Sequence, residues 1–207
     1  MLRILKKMFP QASIALSYRT HFELLVAVIL SAQCTDKKVN EVTARLFKKY
    51  RTLKQYAHAN RNEFEKDITS TGFYRNKTKN VLKAAKMVYK EFKGTLPKTM
   101  KEMVRIPGVG RKTANVVLGN AYGIVEGITV DTHVRRLAIK FDLTDHTDPN
   151  KIEHDLMNSI PKQDWFRSTY LLIEYGRRVC PARHHECSNH PLSKIYPPAA
   201  RRFPKAR

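Results

Sequence analysis

An all-α fold is predicted for this chain on three observations. Apolar residues recur at helical spacing through most of its 207 residues. No stretch alternates polar and apolar residues as a half-buried strand would. The run Ile106-Pro107-Gly108-Val109-Gly110-Arg111-Lys112 reads as one helix ending, a glycine turn and a second helix beginning. Pro107 disfavours helix at Ile106, while Gly108 and Gly110 leave no side chain between the turn and an approaching ligand. The second helix opens with unpaired N–H groups directed outward, the physical basis of a phosphate site. Within it Ala114, Val117, Leu118 and Ala121 share one side. At about 100° per residue Lys112 points away from that stripe, which makes its amine the candidate active group.

The remaining elements follow in order. A short basic helix is expected over residues 3–9, then a helix over 21–31 that is apolar nearly all round and therefore buried. Thr35 and Asp36 open the next, with Val39, Val42, Leu46, Phe47 and Tyr50 inward. Shorter helices are predicted over 53–57 and 60–68. Gly72-Phe73-Tyr74 breaks the pattern, and helix resumes over 76–92, with Val81, Leu82, Ala85, Val88 and Phe92 on one face and Gly94 beyond its end. Lys77, Lys79, Lys83, Lys86 and Lys90 are assigned to its solvated face. Thr99 and Glu102 have capping-box spacing before a short helix that feeds the glycine turn. After a connection over 124–130, a helix over 131–141 buries Val134, Leu137, Ala138 and Phe141. Asp148-Pro149 is a cap followed by proline at the first helical position, and Ile152, Leu156, Met157 and Ile160 carry that helix inward. The last long helix is expected over 163–177, and residues 197–207 read as a disordered basic tail.

The charge balance narrows the partners. Lys and Arg number 39 against 18 Asp and Glu, a formal charge of +21, which points to a polyanion and to nucleic acid before membrane. Three cysteines, Cys34, Cys180 and Cys187, are too few and too odd in number for a secreted disulfide framework. The N-terminus lacks the apolar core of a signal peptide. The apolar run at 22–30 contains Glu23 and is too short to span a bilayer. A cytoplasmic, nucleoid-associated monomer is expected.

The glycine turn, together with Ser31-Ala32-Gln33-Cys34-Thr35-Asp36 and Val130-Asp131-Thr132-His133, resembles the endonuclease III family of DNA glycosylases. These belong to the helix-hairpin-helix superfamily with a Gly/Pro-rich loop and an aspartate. The resemblance runs in order from about residue 22 to 180. It implies two helical lobes with an interlobe cleft: a six-helix lobe over 15–126, and a second lobe from residues 1–14 and 127–196. It also implies base-excision repair of oxidised pyrimidines in duplex DNA. A lysine attacks C1′ of a flipped nucleotide, the base leaves, and β-elimination from the Schiff base nicks the strand.

Lys112 stands at the lysine position and Asp131 at the aspartate position, where Asp-Thr is also a common helix N-cap. The resemblance assigns filling of the vacated base stack to Gln33, and places Phe73 where the family often carries leucine. An aromatic wedge is physically sensible there, and burial in the core is the alternative. Gly108, Val109, Gly110 and Arg111 are expected to hold backbone phosphate, with a loosely bound monovalent ion at the hairpin carbonyls. His133 either lines the base pocket or simply sits on the first turn of its helix.

Many family members bind a [4Fe–4S] cluster through four cysteines near the C-terminus. Here Cys180 and Cys187 match the first two positions, while His190 and Tyr196 occupy the others. Four thiolates are normally required, so no cluster is expected. Cys180, Cys187 and His190 with His184 or His185 offer zinc-type donors, but their irregular spacing weighs against zinc, and no cofactor is expected. Two other readings stand beside the lead. One is a related glycosylase for another lesion, although Lys112 counts against the adenine-specific branch. The other is a helix-hairpin-helix scaffold whose chemistry has lapsed. For a cation of this strength, affinity for duplex DNA should fall steeply, by roughly 10³-fold or more between about 50 and 200 mM salt. A flat salt titration would remove the electrostatic basis for the partner.

Overall fold

The computed structural model describes residues 1–201, and those residues contain helices and turns with no β-strand. The helices are α1 (Leu2–Met8), α2 (His21–Leu30), α3 (Asp36–Lys49), α4 (Leu53–Ala57), α5 (Arg61–Ile68), α6 (Tyr74–Lys90) and α7 (Met100–Met103). They continue with α8 (Arg111–Tyr122), α9 (Thr132–Lys140), α10 (Pro149–Ser159), α11 (Trp165–Arg178), α12 (Pro191–Ile195) and α13 (Pro198–Arg201). Two 3₁₀ turns, Thr69–Thr71 and Lys162–Asp164, precede α6 and α11. No helix among the described residues is long and apolar enough to cross a membrane. The chain divides into two compact units, Ala15–Ile124 and Met1–Ile14 with Val125–Arg207.

In Ala15–Ile124 the centre is α2. Leu24, Leu25, Val26, Ala27 and Leu30 are all fully buried, as a helix apolar all round requires. Its one acid is buried too, because it completes the cap. Glu23 accepts from the backbone N–H groups of Arg19 (2.7 Å) and Thr20 (3.3 Å), and the Thr20 hydroxyl accepts from Glu23 N–H. Around α2 pack the apolar faces of α3, α6 and α8, through Val39, Val42, Val81, Val88, Val117 and Leu118, and α5 packs on α3 and α6 with Phe64 and Ile68 buried. Tyr50, Tyr56 and Phe64 form an aromatic group with centroids 5.2–6.1 Å apart. The Thr99–Glu102 pair is only half a capping box. Thr99 Oγ1 accepts from Glu102 N–H, but the Glu102 carboxylate accepts from the Thr99 hydroxyl instead of closing back on the N-cap backbone.

In the other unit Leu5 and Phe9 join Val134, Leu137, Ala138, Phe141, Ile152, Leu156, Leu171, Leu172 and Tyr175 in one core. Burial pushes the Tyr175 hydroxyl up to about 12, and that oxygen accepts from Leu192 N–H, linking α11 to α12.

Three expectations need correction. Helix α6 begins at Tyr74, two residues before the predicted start, because Phe73 takes its N-cap position. Lys77 is on no solvated face: it is 4% exposed. Pro198–Arg201 is a short helix with Ala199 fully buried, so the predicted disordered tail is ordered over those residues, and its remainder, 202–207, lies outside the described residues.

Candidate active site

The glycine turn has the expected form. Ile106 N–H donates to Met103 O (3.1 Å) and Val109 N–H to Ile106 O (3.0 Å), which folds the chain back sharply after α7. Gly108 sits at φ +82°, and a Cβ there would lie 2.8 Å from Asn80 Cβ on α6. Glycine is required twice over, by conformation and by contact. Gly110 is the extended N-cap of α8 with open space around it and no capping side chain. The first-turn N–H groups of α8 are therefore presented beside the exposed Arg111 and Lys112. Val109 is the exception among the predicted phosphate contacts. Its side chain is 6% exposed and its N–H is spent on Ile106 O, so the side chain anchors the turn and that N–H is not directed at a phosphate.

Gln33 and Phe73 share an unusual property. Both are exposed, Phe73 by 65%, and both have left-handed backbones, at φ +52° and φ +47°. For side chains this large the left-handed region costs roughly 1–2 kcal/mol. It persists only where the surroundings impose it, and such sites cluster at functional loops. Core packing of Phe73 is thus excluded.

The imposing group is Lys77. From the first turn of α6 its ammonium donates to Leu30 O (2.8 Å), the last carbonyl of α2, and to Thr71 O (2.7 Å), at the end of the 3₁₀ turn before Gly72. One cation thereby ties the base of the loop carrying Gln33 to the base of the loop carrying Phe73. Carbonyls at a helix C-terminus suit a cation, and burial lowers the lysine's pKa from its ordinary value. At about 100° per residue Lys77 falls beside Val81, Ala84 and Val88 and opposite Lys79 and Lys86, so helical spacing itself places it inward. A lysine one turn into the helix after a Gly-aromatic break, on a face otherwise apolar, is the signal the sequence carries.

The remaining candidates lie in the other unit. Asp131 is the N-cap of α9, and its Oδ1 accepts from Val134 N–H at 2.8 Å. His133 follows on the first turn of α9, with its ring against α11: a Cβ on Gly176 would lie 2.9 Å from His133 Nδ1. Cys180 and Cys187 are buried, with His185 and His190 nearby. Tyr196 turns elsewhere, its hydroxyl hydrogen-bonded to Asp142. The donor set is two cysteines and two histidines, so it does not fit the four-thiolate [4Fe–4S] cluster.

The model of the HhH-GPD superfamily of base excision DNA repair proteins matches residues 26–162. The chain belongs to that superfamily, within its endonuclease III family. Endonuclease III of Synechocystis is 50% identical over 198 residues, spanning 96% of this chain and 90% of that protein. Endonuclease III of Bacillus subtilis is 44% identical over 189 residues, 91% of this chain and 86% of that protein. Among solved structures, a non-covalent endonuclease III–DNA complex superposes with a TM-score of 0.89 at 43% identity, covering 94% of this chain and 91% of that one. A trapped endonuclease III–DNA covalent intermediate gives 0.88 with the same identity and coverage. A thermostable thymine-DNA glycosylase at 20% identity and a TM-score of 0.80 shares the HhH-GPD fold.

Two outcomes follow from this geometry. Lys77→Met should destabilise the protein by about 1–3 kcal/mol, the cost of leaving buried acceptors unpaired. Lys79→Met on the exposed face should stay within about 0.5 kcal/mol. Gly108→Ala should lose more than about 1 kcal/mol, whereas Gly110→Ser, with open space and a capping hydroxyl, should hold stability or raise it. Denaturant titrations of the four variants check both.

Proposed function

We propose that this chain is a bifunctional DNA glycosylase and abasic-site lyase that excises oxidised pyrimidines from duplex DNA. One observation carries the reading: an exposed lysine, Lys112, in the first turn of the helix that follows a Pro-Gly-Val-Gly turn. It occurs in a chain half identical to an endonuclease III over nearly its whole length. The relatives solved with DNA include a covalently trapped one, which is the behaviour this chemistry requires.

In this scheme the Lys112 amine attacks C1′ of an extruded nucleotide. The C1′–N bond breaks, and its electron pair leaves with the base, which takes up a proton. Opening of the sugar ring gives a Schiff base between Nζ and C1′. Loss of a C2′ proton then expels the 3′ phosphate by β-elimination, and water hydrolyses the Schiff base. An ordinary lysine is protonated at neutral pH, so the site must supply the neutral amine.

Asp131 takes the lysine's proton or stabilises cationic charge on the sugar. Its cap bond from Val134 N–H is taken by Oδ1, and the proposed role falls to Oδ2. Gln33 and Phe73 fill the gap in the stack, an apolar ring being a suitable wedge between base steps. Gly108, Gly110 and Arg111 hold the backbone phosphate, and His133 completes the base pocket. A chromosomal substrate places the protein with the nucleoid in the cytoplasm.

Borohydride reduction on a duplex with an abasic site should give a covalent adduct with the natural protein and none with Lys112→Gln. The variant should still bind the duplex. An adduct of equal yield from Lys112→Gln would overturn the lysine's role, and no adduct from either would favour the lapsed scaffold. Asparagine caps a helix as well as aspartate does. Asp131→Asn should therefore keep the melting temperature while slowing base release by roughly 10²–10⁴. Loss of stability without loss of rate would mean that Asp131 is a cap alone.

A further inference from the structure

Cys180, His185, Cys187 and His190 each bring one donor atom within 4.8 Å of the others. The surroundings prepare that set for a metal in three ways. His185 Nδ1 lies 2.7 Å from the carbonyl oxygen of Arg183. A carbonyl only accepts, so Nδ1 carries the ring proton and Nε2 keeps its lone pair. That Nε2 lies 3.1 Å from Cys187 Sγ. Ligating histidines are oriented in this manner, through an N–H bond on the side away from the ion. Second, His190 Nδ1 is buried with no hydrogen-bond partner, a cost that a bound ion would offset. Third, cations on α9 face both sulfurs. Lys140, 3% exposed, donates to Cys187 Sγ at 3.0 Å. Arg136 Nη1 lies 3.9 Å from Cys180 Sγ. Each cation would face a coordinated sulfur and complement the negative charge that sulfur brings to a metal.

We infer that these four side chains form a mononuclear Zn²⁺ site of the Cys₂His₂ type, closed by protein ligands and structural in role. Two neutral imidazoles and two thiols meet Zn²⁺. The thiols release two protons to solvent, and the resulting site is neutral. Tetrahedral zinc with two sulfur and two nitrogen ligands is a common structural arrangement. An iron–sulfur cluster interposes several atoms between its ligands and needs them spread apart, whereas these donors converge towards one point. The ion would tie the end of α11, where Cys180 follows Val179, to His190, the N-cap of α12. In the sequence the spacing from Cys180 to His190 is irregular, and only the folded loop shows that His185, not His184, turns inward. The inference stands apart from the glycosylase assignment, and its test reads metal and stability instead of activity.

The whole chain, purified without chelators from cells supplied with both zinc and iron, should contain one zinc per chain, no acid-labile sulfide and no brown colour. Exchange with Co²⁺ should give the intense visible bands of tetrahedral thiolate coordination. Removing zinc with a strong chelator should lower the melting temperature, and zinc alone should restore it. Cys187 is fully buried, so Cys187→Ser would confound folding with metal loss; His185→Gln, at a half-exposed position, is the variant of choice. It should weaken zinc binding by more than the roughly 10–100-fold lost with an outer hydrogen-bond partner, while Tyr196→Phe should leave zinc binding unchanged. A chain that takes up neither zinc nor cobalt stoichiometrically overturns the inference. So does one that carries iron with sulfide, and so does a His185→Gln variant with undiminished zinc affinity.

Discussion

A buried ammonium is expensive unless its protons are spent, and the architecture of Ala15–Ile124 turns on how Lys77 spends them. Two go to carbonyls that would otherwise be orphans, Leu30 O at the end of α2 and Thr71 O before Gly72. The bonds satisfy a helix terminus and a turn in one step. They also fix the two chain segments from which Gln33 and Phe73 project. Neither residue has an intrinsic reason to adopt a left-handed backbone. Each is held there because the chain on one side is tied to Lys77 and the chain on the other is committed to a helix, α3 or α6.

Much of this is legible from the residues in order. Pro107 and two glycines ahead of an apolar stripe leave little choice but a turn between helices. The caps Thr35, Asp131 and Asp148 each announce a helix that the structure contains, whereas Thr20 and Asn60 are caps that only the structure reveals. What is not legible depends on contacts between distant segments. Lys77 falls on the apolar side of its helix by spacing, but the acceptors that hold it there, 47 and 6 residues away, have no signal in the sequence. Val109 reads as part of the phosphate loop, although its side chain is needed to pin that loop to the core. Asn80 has no signal at all, because its importance is the space it denies to position 108.

The C-terminal region shows the same limit from the other side. Counting cysteines against a four-thiolate pattern explains why the cluster does not fit, and spacing alone makes the histidines look incidental. Folding reverses their standing. Arg183 O sets the tautomer of His185, α9 supplies the cations that face the sulfurs, and Tyr196 is drawn off to Asp142. Ligand sets are properties of surfaces brought together, and a one-dimensional pattern samples only part of them.

Helix α6 has a consequence for how damage is located. Its N-cap is Phe73, its first turn holds Lys77, and its second turn sets Asn80 against Gly108. Phe73 and the glycine turn are thus mounted on one helix, and in the roles proposed for them that helix would be a fixed gauge between a point on the base stack and a point on the sugar-phosphate rail. Such a gauge cannot stretch to accommodate a helix of different rise. Intact duplex would be surveyed by bringing each step to the instrument, and a weakly stacked lesion would be the step that yields first.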